Sequence, residues 1–83
     1  MKFLVTTLFS IVFLFASVDI NNASEKEFTS LNGVGAKKAS AIVKYRDSIK
    51  CFKSIDELTA VKGIGTAIVS KNRNELKLGV CKK

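Results

Sequence analysis

The chain has 83 residues, with 14 Lys+Arg against 7 Asp+Glu, two Cys, and no His, Trp or Pro. That length holds one domain at most, and the net charge of +7 points to a polyanionic partner, either nucleic acid or an anionic membrane. Without histidine, paired carboxylates at helical spacing or an activated thiol, the sequence offers no general base or nucleophile, which argues against an enzyme.

Met1-Lys2 places one positive charge before an almost unbroken apolar run from Phe3 to Phe15, and small residues follow at Ala16 and Ser17. A basic start, a short apolar stretch and a small-residue exit describe a secretory signal peptide. Polar sequence resumes at Asp19, short of the ~20 apolar residues that a bilayer-spanning helix requires. Residues 1–18 are therefore expected to be a cleaved signal peptide, cut after Ala16, Ser17 or Val18, with an uncleaved anchor as the competing reading. Residues 19–83 form the expected mature domain, periplasmic or secreted. Loss of Lys2 leaves 13 basic residues against 7 acidic, a net +6.

A mature chain of roughly 65 residues is marginally stable without extra help. Export places Cys51 and Cys81 in an oxidising compartment, where an even pair is expected to form a structural disulfide. Closing that loop is worth about 3–4 kcal/mol in the chain-entropy picture. No CxxC pair and no His are present, which argues against a redox or zinc role for these cysteines; no cofactor is expected, and whether a monovalent cation sits in the glycine corners is left open by the sequence.

Set against itself at an offset of thirty residues, the mature sequence repeats. Ser24 falls on Ser54, Glu27 on Glu57, Phe28 on Leu58, Leu31 on Val61, Gly33 on Gly63, Val34 on Ile64, Gly35 on Gly65 and Ala39 on Val69. Ser24-x-x-Glu27 and Ser54-x-x-Glu57 read as capping boxes. Each opens a two-turn helix burying Phe28 and Leu31, or Leu58 and Val61. Gly33 and Gly63 are placed to stop those helices in the left-handed conformation. Helices are then expected over about Ala36 to Lys50, with Ala39, Ile42, Val43 and Arg46 at helical spacing, and over about Thr66 to Leu76, with Ile68, Val69, Asn72 and Leu76. No segment alternates as a strand would, so the expectation is an all-α domain of four helices.

The two glycine corners carry the expected chemistry. In Gly33-Val34-Gly35 and Gly63-Ile64-Gly65 the apolar middle residue turns inward, and the flanking glycines leave the backbone open to close approach. Amides of the second glycine and the next two residues, Ala36 and Lys37 in the first unit, begin a helix and so lack intrahelical partners. Such amides suit a phosphate oxygen. Lys37 and Lys38 stand in the first turn after one corner, where cations oppose the helix dipole unless an anion offsets them. Lys62 precedes Gly63, Thr66 adds a hydroxyl, and Lys71 and Arg73 lie one or two turns further along. Lys26, Lys44, Lys82 and Lys83 are read as solvated surface charges.

Ile20-Asn21-Asn22-Ala23-Ser24, Leu31-Asn32-Gly33-Val34-Gly35-Ala36-Lys37-Lys38-Ala39, Tyr45-Arg46, Phe52-Lys53-Ser54-Ile55-Asp56-Glu57-Leu58 and Val61-Lys62-Gly63-Ile64-Gly65 together resemble ComEA, the helix-hairpin-helix DNA receptors of natural transformation. The resemblance runs from Asp19 to about Leu78 and implies a tandem helix-hairpin-helix domain of the SAM-like, RuvA domain 2-like class. It further implies sequence-independent binding of incoming double-stranded DNA in the periplasm and a ratchet against back-sliding. Self-association on DNA and contact with an inner-membrane DNA channel and pilus machinery belong to the same picture, whereas a small-molecule substrate does not. Two departures stand out: Cys51 occupies a turn that is commonly glycine-rich, and a tail carrying Cys81 is added. Ala67-Ile68 also replaces Lys37-Lys38 after the second corner, so a weaker phosphate grip is expected there. The alternative reading is an exported helix-hairpin-helix module that binds protein and no nucleic acid.

Overall fold

Ser24 starts the first helix as its capping box requires. Its Oγ accepts the Glu27 amide at 3.1 Å, and its own amide donates to Glu27 Oε1 at 2.8 Å. The computed structural model describes residues 17–81, so the expected signal peptide lies outside the described residues except for its last two positions. In chain order the elements are strand β1 (Val18–Asp19), helix α1 (Glu25–Phe28), helix α2 (Ala36–Ile49), a 3₁₀ helix (Ile55–Ala60), helix α3 (Thr66–Asn72), a 3₁₀ turn (Arg73–Glu75) and strand β2 (Leu76–Lys77). The class is the expected all-α one, with helices α1 and α2 forming one unit and the 3₁₀ helix with α3 forming the other.

The second unit departs from the first at its start. Ser54 makes no side-chain cap, and the expected second capping box is absent. The segment winds as a 3₁₀ helix, so the Glu57 amide bonds the Ser54 carbonyl at 3.2 Å and is no longer free for the serine hydroxyl. The Glu57 carboxylate accepts instead from the Lys53 amide at 2.6 Å. The last helix is also shorter than its periodicity suggests. It tightens into the Arg73–Glu75 turn, and Leu76 leaves it to pair in parallel with Val18.

One apolar core joins the two units, with Ile20, Phe28, Ile42, Phe52 and Val69 almost fully buried within it. Val18, counted on the sequence as the last residue of the leader, is 5% exposed and belongs to this core. Arg46 closes the first unit: its guanidinium donates to the Ile20 and Ala23 carbonyls at 3.1 and 2.8 Å and lies over the Phe28 ring. A positive residue on the apolar stripe of α2 is thus committed to structure.

The disulfide forms as expected between Cys51 and Cys81, whose Cα atoms are 5.5 Å apart. It clamps a tail that is held at Gly79 as well. The Gly79 amide donates to Asp19 Oδ1 at 2.9 Å, and its carbonyl accepts from Asn21 Nδ2 at 3.0 Å. A Cβ at Gly79 would fall on the Asp19 carboxylate. Burial raises the Asp19 pKa, but hydrogen bonds from Asn22 and from the Asn21 and Gly79 amides, with Lys77 nearby, outweigh it and hold the carboxyl below its ordinary value. Asn21 also accepts from the Phe52 amide at 2.7 Å and donates to its carbonyl at 3.1 Å. The start, middle and end of the domain therefore meet at one seam.

Lys50, the residue before Cys51, ends α2 at φ +79°, ψ −47°, on the left-handed side, where helices commonly place glycine. Near those angles lies the strained γ-turn region, and a side chain there costs on the order of 1 kcal/mol. Lys50→Gly should consequently raise the melting temperature by roughly 4–8 °C, the shift that 1 kcal/mol produces in a domain of this size. A lower melting temperature on a thermal scan would show that the strain is not there.

Candidate nucleic-acid interface

Each corner is built by the same short-range bonds. Leu31 N–H donates to the Phe28 carbonyl at 3.1 Å and Val34 N–H to the Leu31 carbonyl at 3.2 Å. Their counterparts, Val61 to Leu58 and Ile64 to Val61, are both 3.0 Å. Gly33 and Gly63 take φ +85° and +91°, the left-handed turn that only glycine enters without strain. Val34 and Ile64 point into the core and are buried.

Gly35 and Gly65 answer to a different requirement. Both have ordinary extended backbone, φ −98° and −99°, and a Cβ at either would meet nothing within 4 Å. Serine or aspartate would cap the following helix better than glycine. Nothing inside the fold calls for glycine at these two positions, so the surface they leave bare is their distinguishing feature. No side chain caps either helix, and the amides of Gly35, Ala36 and Lys37, like those of Gly65, Thr66 and Ala67, find no acceptor among the described residues. Bare amides at a helix start, in an exposed corner, are suited to an anionic oxygen.

The side chains fall unequally around them. Lys37, Lys62 and Thr66 are exposed beside the corners, and Lys38 is half-buried. Lys38 belongs in sequence to the first corner, yet its stem runs alongside the second, with Cε 3.4 Å from where a Gly63 Cβ would sit. Its ammonium lies 3.5 Å from the Gly33 carbonyl. Ile68, thirty residues on, makes the reciprocal contact, its Cγ1 3.5 Å from the Gly33 Cβ position. The two corners are thus neighbours related by an approximate two-fold exchange. Lys38 thus brings a cation to the second corner, where Ala67-Ile68 stands in place of a lysine pair. Lys71 stands in the last turn of α3, on the order of 9 Å along the helix from Gly65 at 1.5 Å per residue.

Asn72 falls on the apolar stripe of α3, a place where the sequence suggests no role for it. It is 2% exposed and bonds the backbone of Asn32, in the other unit, through both ends of its amide. The available signal was a polar residue recurring in an otherwise apolar helical register. Arg73 on the adjoining turn pairs with Asp56, but both side chains are more than half exposed, and such pairs contribute little.

The helix-hairpin-helix motif family matches residues 15–77. An "uncharacterized protein" of Haemophilus influenzae is 45% identical over 60 residues, covering 71% of this chain and 54% of that protein. ComE operon protein 1 of Bacillus subtilis is 38% identical over 61 residues, 74% of this chain and 30% of that protein. Human endonuclease/exonuclease/phosphatase family domain-containing protein 1 is 36% identical over 59 residues, 71% of this chain but 10% of that protein. The chain thus spans between a tenth and about half the length of these relatives, and its likeness to the last is confined to a short segment.

Proposed function

The chain belongs to the helix-hairpin-helix motif family, as a ComEA-like member, and from that premise we propose that it binds double-stranded DNA through the phosphate backbone, without reading sequence. The observation that carries this reading is the pair of adjacent glycine corners whose amides face outward unbonded. Phosphate oxygens recur along both strands whatever the bases, so main-chain donors flanked by lysines grip any sequence alike. Lys37, Lys38 and Lys62, with the amides of Gly35, Ala36 and Lys37 and of Gly65, Thr66 and Ala67, are the proposed contacts, and Thr66 adds a hydroxyl. Lys71 contributes long-range attraction rather than a contact.

The same reading extends to the cell. The apolar leader directs export, and we place its cleavage before Val18, because the domain buries that residue. In the periplasm, the bound protein holds incoming DNA against back-sliding during natural transformation and passes it towards an inner-membrane channel. No catalytic step is assigned to it.

Gel shifts with unrelated duplexes test the core of the proposal. Affinity should be equal across sequences, and log K should fall by about 3–4 per log unit of salt if roughly four phosphates are neutralised, at about 0.9 per phosphate. Binding confined to one sequence, or a flat salt response, defeats it. Absence of binding to any duplex would favour a protein-binding module.

A further inference from the structure

Asn72 sits at the end of α3, among the most deeply buried side chains of the domain. Its Oδ1 accepts the Asn32 amide at 2.9 Å, and its Nδ2 donates to the Asn32 carbonyl at 3.0 Å and to the Ile68 carbonyl at 2.9 Å. Both polar groups of a single main-chain residue, the one directly before left-handed Gly33, are therefore held by one side chain forty residues away. The third bond, to its own helix, fixes the amide in the orientation that this double contact requires.

We propose that Asn72 is a positioning residue for DNA binding: from the second unit, it sets the backbone of the first glycine corner in the shape that receives a phosphate. The inference rests on the DNA-binding reading above and adds to it a direction of coupling between the corners. At the offset of thirty, the counterpart of Asn72 is Ile42 and that of Asn32 is Lys62. Ile42 is buried and has no hydrogen-bonding group, so the second corner has no equivalent clamp. Helix α3 meets the first corner at two points, Ile68 against Gly33 and Asn72 on Asn32. Burying an amide in an apolar stripe is unfavourable unless its bonds are made. Here all three are made, two of them to the residue that leads into the corner.

An NMR titration of the oxidised full chain with a short duplex of arbitrary sequence tests this, comparing wild type, Asn72→Leu and Ile42→Val. In wild type the amides of Gly33, Gly35, Gly63 and Gly65 should all shift on adding DNA. Asn72→Leu should lose at least half the response at Gly33 and Gly35 and keep it at Gly63 and Gly65. Its affinity should fall about tenfold, with a salt slope smaller by about one phosphate. Ile42→Val, a core change at the matching position, should leave all four responses in place. A full response at Gly33 and Gly35 in Asn72→Leu, or an equal loss at both corners, overturns the proposal. Asn72→Ser, which cannot reach Asn32, carries the same comparison should the leucine variant fail to fold. Hydrogen exchange at the Asn32 amide without DNA is a separate readout: it should quicken at least tenfold in the variant, and an unchanged rate also overturns the clamp. Wild-type corners that ignore DNA, with Asn32 exchange quickened as expected, would instead defeat the DNA reading and leave the clamp standing.

Discussion

Reversing two charges together, Lys37→Glu with Lys38→Glu, is expected to abolish DNA binding near physiological salt and to leave the circular dichroism spectrum unchanged. Lys37 and Lys38 occupy the first turn of α2, which contains no acidic residue. Cations there oppose the helix dipole by about 0.3–1 kcal/mol each, so glutamate favours the helix and the variant should fold at least as well. Binding responds in the opposite sense. Lys38 lies between the two corners, so its reversal sets a carboxylate beside both proposed phosphate positions. Losing two phosphate contacts reduces the salt slope by about 2, and the added repulsion takes the affinity down by at least a hundredfold on the order-of-magnitude scale for such contacts. Lys26→Glu with Lys44→Glu makes the same change in net charge away from the corners. It should cost less than about tenfold, because exposed charges beyond a Debye length are largely screened. Equal losses in the two double variants would mean that diffuse charge, and not the corners, holds DNA.

The second large effect concerns stability. Reduction of Cys51–Cys81, or replacement of both by serine, should destabilise the domain by about 3–4 kcal/mol, the loop-closure value for a separation of this size. For a domain of this length that corresponds to a melting temperature lower by roughly 12–32 °C, at about 4–8 °C per kcal/mol. Reduction should also act on the seam in the folded state. Asp19 and Asn21 both bond Gly79, and Asn21 also holds Phe52, next to Cys51, so freeing the tail loosens contacts that enclose the core. The bonds that close the corners, those within each unit and those from Asn72 to Asn32, do not involve the tail, and the reduced protein should still bind DNA below its melting temperature. Equal melting curves with and without reductant would show that the hydrogen bonds at Gly79 suffice without the covalent link. Loss of DNA binding on reduction at a temperature where the domain remains folded would show that tail and corners are coupled.

Short-range rules account for what could be read early. Gly33 and Gly63 enter left-handed backbone because residues one or two positions away demand a turn, and Ser24 caps α1 through a residue three positions on. The spacing of Ala39 and Ile42 marks a buried face within a single helix. The same rules misjudged Ser54, because α and 3₁₀ windings differ by one position in which carbonyl the Glu57 amide meets. That choice depends on how the segment packs on the core.

By itself the sequence determined the duplicated unit, the two corners with their inward Val34 and Ile64, the lysines beside them and the pairing of the only two cysteines, since each is written in residues close along the chain or in composition. Tertiary structure alone decided that Lys38 lies along Gly63, that Asn72 bonds Asn32, that Val18 pairs with Leu76 and that the tail is held at Gly79. These contacts join residues far apart in the chain, and their existence depends on the angle and depth at which two similar units pack together. A sequence pattern specifies which face of a helix is buried. It does not specify which atoms of another unit that face will meet.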